Sequence, residues 1–253
     1  MKITLLGTGT SQGVPVIACT CDACISNDKR DQRLRCSVSI QTKNTSIVID
    51  VGPDFREQIL RYGPTRLDAI LLTHEHNDHV AGIDDLRPFI FMQKKNMPIY
   101  AEKNVLESIK VRYPYAFKKN KYPGVPGFDL LALGEAPFKI GDITIIPIRV
   151  LHGQLPILGF RIGDFTYITD ALKIDDIEKE KIKGSEILVI NALQKRKHYS
   201  HLNLKGALTL IEELGSQKVY LTHISHKMGK TSNWEKELPK NVHSAFDGLE
   251  FNF

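Results

Sequence analysis

His74-Glu75-His76-Asn77-Asp78-His79 decides the reading of this chain, because it packs three imidazoles and the Asp78 carboxylate into one short loop. Such a cluster is hard to account for without metal. The apolar stretch Leu67-Asp68-Ala69-Ile70-Leu71-Leu72, closed by Thr73, leads into it. Its length and branched content suit a buried parallel strand better than a helix. The cluster therefore falls at a strand's carboxyl end, where open α/β sheets place their ligands. Side-chain direction repeats every second residue in extended chain, so His74 and His76 point the same way and can share one ion. Asp78 and His79 open the next element, Val80-Ala81-Gly82-Ile83-Asp84-Asp85-Leu86-Arg87, and the change of backbone direction there aims them at a second ion. Glu75 and Asn77 are assigned to loop structure. The alternative is a solvated polar turn whose histidines only form hydrogen bonds.

The H-x-H-x-D-H pattern resembles the signature of the metallo-β-lactamase superfamily. That resemblance implies an α/β fold, a four-layer αββα sandwich, and three further ligands: His152, Asp170 and His223. Each follows a run of strand type, namely Ile145-Ile146-Pro147-Ile148-Arg149-Val150-Leu151, Phe165-Thr166-Tyr167-Ile168-Thr169 and Val219-Tyr220-Leu221-Thr222. Local structure and chemistry agree at all three places. The superfamily also carries an aspartate before a glycine at the end of an early strand. Ser46-Ile47-Val48-Ile49-Asp50-Val51-Gly52 matches it, which makes Asp50 the residue that holds the histidine loop.

Gly7-Thr8-Gly9-Thr10-Ser11-Gln12-Gly13-Val14-Pro15, followed by Cys19-Thr20-Cys21-Asp22-Ala23-Cys24, looks like the branch containing the PhnP-type cyclic phosphodiesterases. In that branch the three cysteines join a distant histidine around a structural zinc, and His226 occupies the matching place. Three thiolates and one imidazole suit a closed four-coordinate site. The alternatives are reduced buried thiols, or a disulfide with Cys36. Cys36 opens the strand-like Ser37-Val38-Ser39-Ile40-Gln41 and reads as core. The resemblance further places a proton-donating histidine before a helix, at His201. Asn203 is a suitable N-cap for that helix, Leu204, Ala207, Leu208, Ile211 and Leu214 form its apolar stripe, and Gly215 stops it. His198, in a basic string, reads as solvated. His243 has no evident partner.

The implied chemistry is metal-assisted hydrolysis of a phosphodiester. His74, His76 and His152 would hold one divalent ion and Asp78, His79 and His223 the other, with Asp170 bridging. Two such ions ionise a shared water near neutral pH. His201 would protonate the leaving oxygen, so His201, Asp78 and Asp170 are the catalytic assignments. Zinc or manganese is expected at the pair, with iron or nickel as alternatives, because N and O ligands discriminate weakly among them. One structural zinc is expected at the cysteines. The resemblance implies a small, cyclic ribose-type phosphodiester as substrate, and a homodimer.

Composition sets outer limits. The 253 residues read as one domain, 1–253, with strands and helices alternating throughout. The formal charge of +5 is dispersed over Lys94-Lys95, Lys118-Lys119-Asn120-Lys121 and Lys195-Arg196-Lys197, which read as solvated faces and make nucleic acid an unlikely partner. No signal peptide or membrane span is expected, and cysteines grouped for metal suit the cytoplasm. Tyr113-Pro114-Tyr115-Ala116-Phe117, with the Pro- and Gly-rich 122–128, is expected to form a lid over the metals or to pack on a second subunit. Three rival functions share parts of this pattern. A tRNA-processing ribonuclease needs a long RNA-gripping arm between His152 and Asp170, where only a hairpin turning at Gly163-Asp164 fits. A thioester or lactam hydrolase leaves His201 and the cysteines unexplained. A nucleotide- or metal-binding protein without turnover leaves the acid unexplained.

Overall fold

A computed structural model of the chain describes residues 1–120 and 122–253. Lys121, the last member of the second lysine group, lies outside the described residues. The first half contributes strands β1 (Lys2–Gly7), β2 (Ser37–Gln41), β3 (Ser46–Ile49), β4 (Ala69–Leu71), β5 (Met97–Ala101) and β6 (Phe128–Ala132). The second contributes β7 (Phe138–Ile140), β8 (Ile143–His152), β9 (Leu155–Ile162), β10 (Phe165–Ile168), β11 (Ile187–Asn191), β12 (Lys218–Thr222) and β13 (Val242–Ser244). The final strand, β14 (Glu250–Asn252), returns to the first sheet and pairs antiparallel with β1. Two seven-stranded sheets result, in the orders β14-β1-β2-β3-β4-β5-β6 and β13-β12-β11-β10-β9-β8-β7.

Helices cover both outer faces. On the first sheet lie α1 (Phe55–Tyr62), α2 (Asn77–Val80), α3 (Arg87–Gln93), α4 (Lys103–Arg112) and α5 (Pro114–Phe117). The second carries α6 (Asp176–Ile182), α7 (Leu204–Leu214) and α8 (Thr231–Trp234). Alternation along the strands explains the layers. Ile47, Ile49, Ala69 and Leu71 turn inward onto Leu158, Phe160, Tyr167 and Val189 of the facing sheet, while Val48, Ile70 and Ile99 face the first helical layer. Leu188, Ile190, Val219 and Leu221 pack against Ala207, Ile211 and Leu214 of α7. This is the expected αββα sandwich.

Local expectations can be compared element by element. Strand β4 pairs parallel with both β3 and β5 and is fully buried, as its unbroken apolar run predicts. The side chain of Asn203 accepts from the Gly206 amide, and Gly215, at φ 64°, ends α7. Leu210 is buried in place of the expected Leu208, which is only half-buried. β9 and β10 form a hairpin in which Ile162 pairs with Phe165, so Gly163 and Asp164 alone make the turn. Lys94, Lys95, Lys118, Lys119, Lys195, Arg196 and Lys197 are all exposed. Among the described residues no helix is long and apolar enough to cross a membrane.

The expected lid is corrected. The Tyr113 hydroxyl donates to the Val80 carbonyl, the Tyr115 hydroxyl bonds Asp84, and Arg87 donates to the Gly124 carbonyl at 2.8 Å. Ala116, Phe117, Val125 and Phe128 join the core beneath the first helical layer. Tyr113, Tyr115, Phe117 and Phe128 thus pack within the chain itself, while Tyr122 is exposed. None of the described residues in 113–128 lines the cavity over the histidine cluster.

Candidate dinuclear metal centre

Five strand ends deliver the parts of the centre. β3 ends at Asp50, β4 at the loop carrying His74, His76, Asp78 and His79, β8 at His152, β10 at Asp170 and β12 at His223. Asp50, Asp170 and His223 have φ of 62°, 57° and 55°, a left-handed backbone that side chains rarely adopt. Three such residues at one place mark a site where the fold holds local strain. The approach of the histidine loop to β3 also depends on Gly52. A β-carbon there would lie 2.0 Å from the Asp78 carbonyl oxygen, so no other residue fits without moving the loop.

The seven sequence-predicted side chains converge. One ligand atom each from His74, His76 and His152 lies within 4.8 Å of the others, as does one each from Asp78, Asp170 and His223. Asp170 stands between the groups. Its Oδ1 is 2.9 Å from His201 Nε2 and 3.2 Å from His223 Nε2, and its Oδ2 is 3.2 Å from His79 Nε2. His79 Nε2 is also 3.2 Å from Asp78 Oδ2.

The nitrogens turned away from this cluster are occupied by protein. His79 Nδ1 donates to Asp50 Oδ2 at 2.7 Å, His152 Nδ1 donates to the Ser200 carbonyl at 2.9 Å, and His74 Nδ1 lies 2.9 Å from Thr73 Oγ1. Asp50, fully buried, also accepts from the Thr73 amide and hydroxyl. Such bonds fix which nitrogen faces inward. His74 Nε2 is buried with no hydrogen-bond partner, and His79 Nε2, also buried, has the Asp78 and Asp170 carboxylates 3.2 Å away but not aligned as hydrogen bonds. An unpaired buried nitrogen is costly, and a cation among these donors removes the cost. The donor set fits divalent metal.

The charges reinforce one another. Burial pulls His79 down, but Asp78, Asp50 and Asp170 outweigh it and hold the ring well above its usual range. His74 and His223 have less carboxylate support, so burial dominates; His74 falls well below its usual range and His223 to about 4. Asp78 and Asp170 stay well below the usual carboxylate range, because His79 and His223 overcome the effect of burial. Neutral His74 and His223 and ionised Asp78 and Asp170 are in the form a metal takes, whereas His79 must give up its proton to bind one.

The second cluster adjoins the first. His226 Nδ1 is 3.2 Å from Cys19 Sγ and 3.4 Å from Cys21 Sγ, and Cys24 belongs to the same group. A tetrahedral zinc with ordinary bond lengths separates sulfur from nitrogen by about 3.5 Å. A hydrogen bond from the Cys24 amide draws the Cys21 thiol down to about 6, while burial pushes Cys24 up to about 11. The expected alternative of a disulfide with Cys36 does not form; all four cysteines are free, and Cys36 is buried with its thiol directed at the Gly9 carbonyl.

Three contacts were not legible in the sequence. Thr10 Oγ1 lies 3.1 Å from His223 Nε2, and the Thr10 amide donates to the Ile224 carbonyl, so the glycine-rich opening segment braces the His223 loop. Ser200 presents its carbonyl to His152. His198, expected to be solvated, is half-buried and turned towards His201, with Nδ1 atoms 3.1 Å apart. His243, on β13, packs at a tilt against Tyr220 of β12, away from the cluster. The centre opens into a cavity of about 290 Å³ lined by His76, Asp78, His152, Asp170, His201 and His223.

Paired sheets with a histidine–aspartate cluster at their strand tips define a metallo-β-lactamase-fold protein, and residues 45–224 match the Beta-lactamase superfamily domain. The chain belongs to that superfamily and, within it, to the PhnP family, as a whole-length likeness to a known structure shows. That structure is a diphosphatase from the PhnP family, 36% identical, with a TM-score of 0.92, covering 100% of this chain and 96% of the other. Zinc-bound PqqB from Methylobacterium extorquens shares the fold at 17% identity, with a TM-score of 0.81 and all of both chains covered. Among curated proteins, an octanoyltransferase of Porphyromonas gingivalis is 44% identical over 253 residues. The match takes in 99% of this chain but only 51% of that protein, so the chain spans about half its length.

Proposed function

We infer that the chain is a metal-dependent phosphodiesterase acting on a small phosphodiester, of which a cyclic ribose phosphate is the model. The observation that carries this is His201. Its Nε2 is 2.9 Å from Asp170 Oδ1, so the ring stands at the edge of the metal cluster and lines the same cavity. When bound, two divalent ions would supply an ionised water and offset charge on the phosphoryl oxygens. His74, His76 and His152 would hold one, Asp78, His79 and His223 the other, and Asp170 both. His201 then donates a proton to the departing oxygen from the side of Asp170. A cavity of about 290 Å³ suits a small substrate, at the lower end of the roughly 300–1,000 Å³ common for ligand sites.

The tRNA-processing alternative is disfavoured by the β9–β10 hairpin, whose two-residue turn at Gly163-Asp164 leaves no arm between His152 and Asp170. The named activity of the octanoyltransferase is not transferred, since this chain matches only half of it. The name of the PhnP-family structure makes a diphosphate the first alternative substrate to assay. Both bonds break by attack at phosphorus with an oxygen leaving. The test is turnover of a cyclic ribose phosphate and a diphosphate with zinc or manganese, against His201→Ala. The variant is expected to lose about 10²–10⁴-fold on the diester while keeping its metals. Full loading of both proteins without turnover would instead favour a binding role.

A further inference from the structure

We propose that His198 is a positioning residue that clamps the ring of His201 so that Nε2 faces the reacting centre. The inference rests on the phosphodiesterase activity proposed above. His201 Nδ1 lies 3.1 Å from His198 Nδ1 and 3.0 Å from Ser200 Oγ, while the same hydroxyl lies 3.2 Å from His198 Nδ1. The Ser200 amide adds a longer bond to His198 Nδ1 at 3.4 Å. That bond makes His198 Nδ1 an acceptor, so the hydrogen between the two rings sits on His201 Nδ1, and the serine hydroxyl, which both accepts and donates, closes the triangle.

The triangle matters because of what a ring flip would do. A half-turn about Cβ–Cγ exchanges Nδ1 with Cδ2 and Nε2 with Cε1, placing a carbon against Asp170 where the donor must be. The ring of His223 stacks on that of His201 with centroids 5.0 Å apart, and the ring of His152 meets it edge-on at 4.4 Å, contacts that do not distinguish the flipped ring from the native one. Only partners at Nδ1 and Nε2 make that distinction. His198, which also lines the cavity, is therefore placed to bias the ring at Nδ1, the nitrogen opposite the one that meets Asp170. The exposed ring of the neighbouring Tyr199 lies tilted against that of His198, with ring centres 4.5 Å apart.

Zinc-loaded protein allows a direct test with His198→Leu and His198→Asn. Two diesters are compared: bis(4-nitrophenyl) phosphate, whose phenolate leaves without a proton, and a diester with an alkoxide leaving group. His198→Leu should lower kcat about tenfold on the alkoxide substrate, with KM and the aryl rate unchanged, because only the proton donor is misplaced. His198→Asn, which keeps a polar atom near the Nδ1 position, should restore most of that loss. A crystal structure of zinc-loaded His198→Leu should show His201 Nε2 displaced from Asp170 Oδ1. Equal losses on both substrates, no loss, or an unmoved His201 ring would overturn the proposal. Should His201→Ala leave the alkoxide substrate unaffected, the parent activity fails, and the ring position in the His198→Leu crystal still decides the clamp.

Discussion

The two metal-type clusters meet on one loop, yet they are built in opposite ways. His223 enters the histidine–aspartate cluster and His226, three residues on, enters the cysteine cluster. In the first, the outward nitrogens of His74, His79 and His152 are engaged by Thr73, Asp50 and a backbone carbonyl, and only the inward atoms are left over. In the second, Cys21 is exposed and Cys19, Cys24 and His226 are half-buried. Their sulfurs are met by His226, the Val16 amide and the Cys24 amide. The difference teaches that the histidine–aspartate cluster is held in shape by the protein's own hydrogen bonds, whereas the cysteine cluster has few such bonds and would be drawn together by an ion. The first site is then expected to lose and regain metal without unfolding. The second ties residues 14–26 to the Thr222–His226 loop.

The contrast can be broken most severely at Asp170. Asp170→Ala removes the carboxylate shared by both groups, and turnover should fall by at least about 10³-fold while the circular dichroism spectrum stays native. Retained turnover would mean that the bridge is not needed. Next comes Asp50→Asn, which leaves the seven side chains in place but weakens their bracing. Metal affinity, measured by competition with a chromophoric chelator, should drop about 10–100-fold.

Cys19→Ser addresses the other cluster. It should release one zinc, leave the catalytic ions bound, and lower the thermal midpoint by roughly 8–16 °C, taking ~4 kcal/mol of linkage and 2–4 °C per kcal/mol. Loss of the catalytic ions instead would erase the distinction between the sites. The smallest effect concerns pH. Asp78, Asp50 and Asp170 keep His79 protonated well above its usual range when no ion is present. Metal must displace that proton, so affinity should rise with pH, by about tenfold per unit, and flatten once pH exceeds the His79 value. Isothermal titration in buffers of different ionisation enthalpy would count the proton released.

The skeleton of the centre was legible because its ligands follow short apolar runs. Strand periodicity located the ends of β4, β10 and β12, and the family resemblance said which residues there to choose. The two-residue turn at Gly163-Asp164 and the cap at Asn203 were legible for the same reason, since turn and cap chemistry is local. What stayed hidden depends on contacts between distant segments. Nothing near Thr10 announces its bond to His223, 213 residues away. His198 looked solvated because its neighbours Lys195, Arg196 and Lys197 are exposed, but the loop turns and brings it back to His201. The lid expectation failed because aromatic and proline content marks an irregular segment without saying which surface it covers. Tyr113 and Tyr115 find Val80 and Asp84 inside the first helical layer.

Anomalous diffraction from crystals loaded with manganese at the catalytic cluster tests the central claim most directly. Two peaks separated by about 3.5–4 Å are expected, one among His74, His76 and His152, the other among Asp78, His79 and His223, with Asp170 between them. No peak there under saturating metal, or a peak that leaves His152, Asp170 or His223 outside bonding distance, would contradict it.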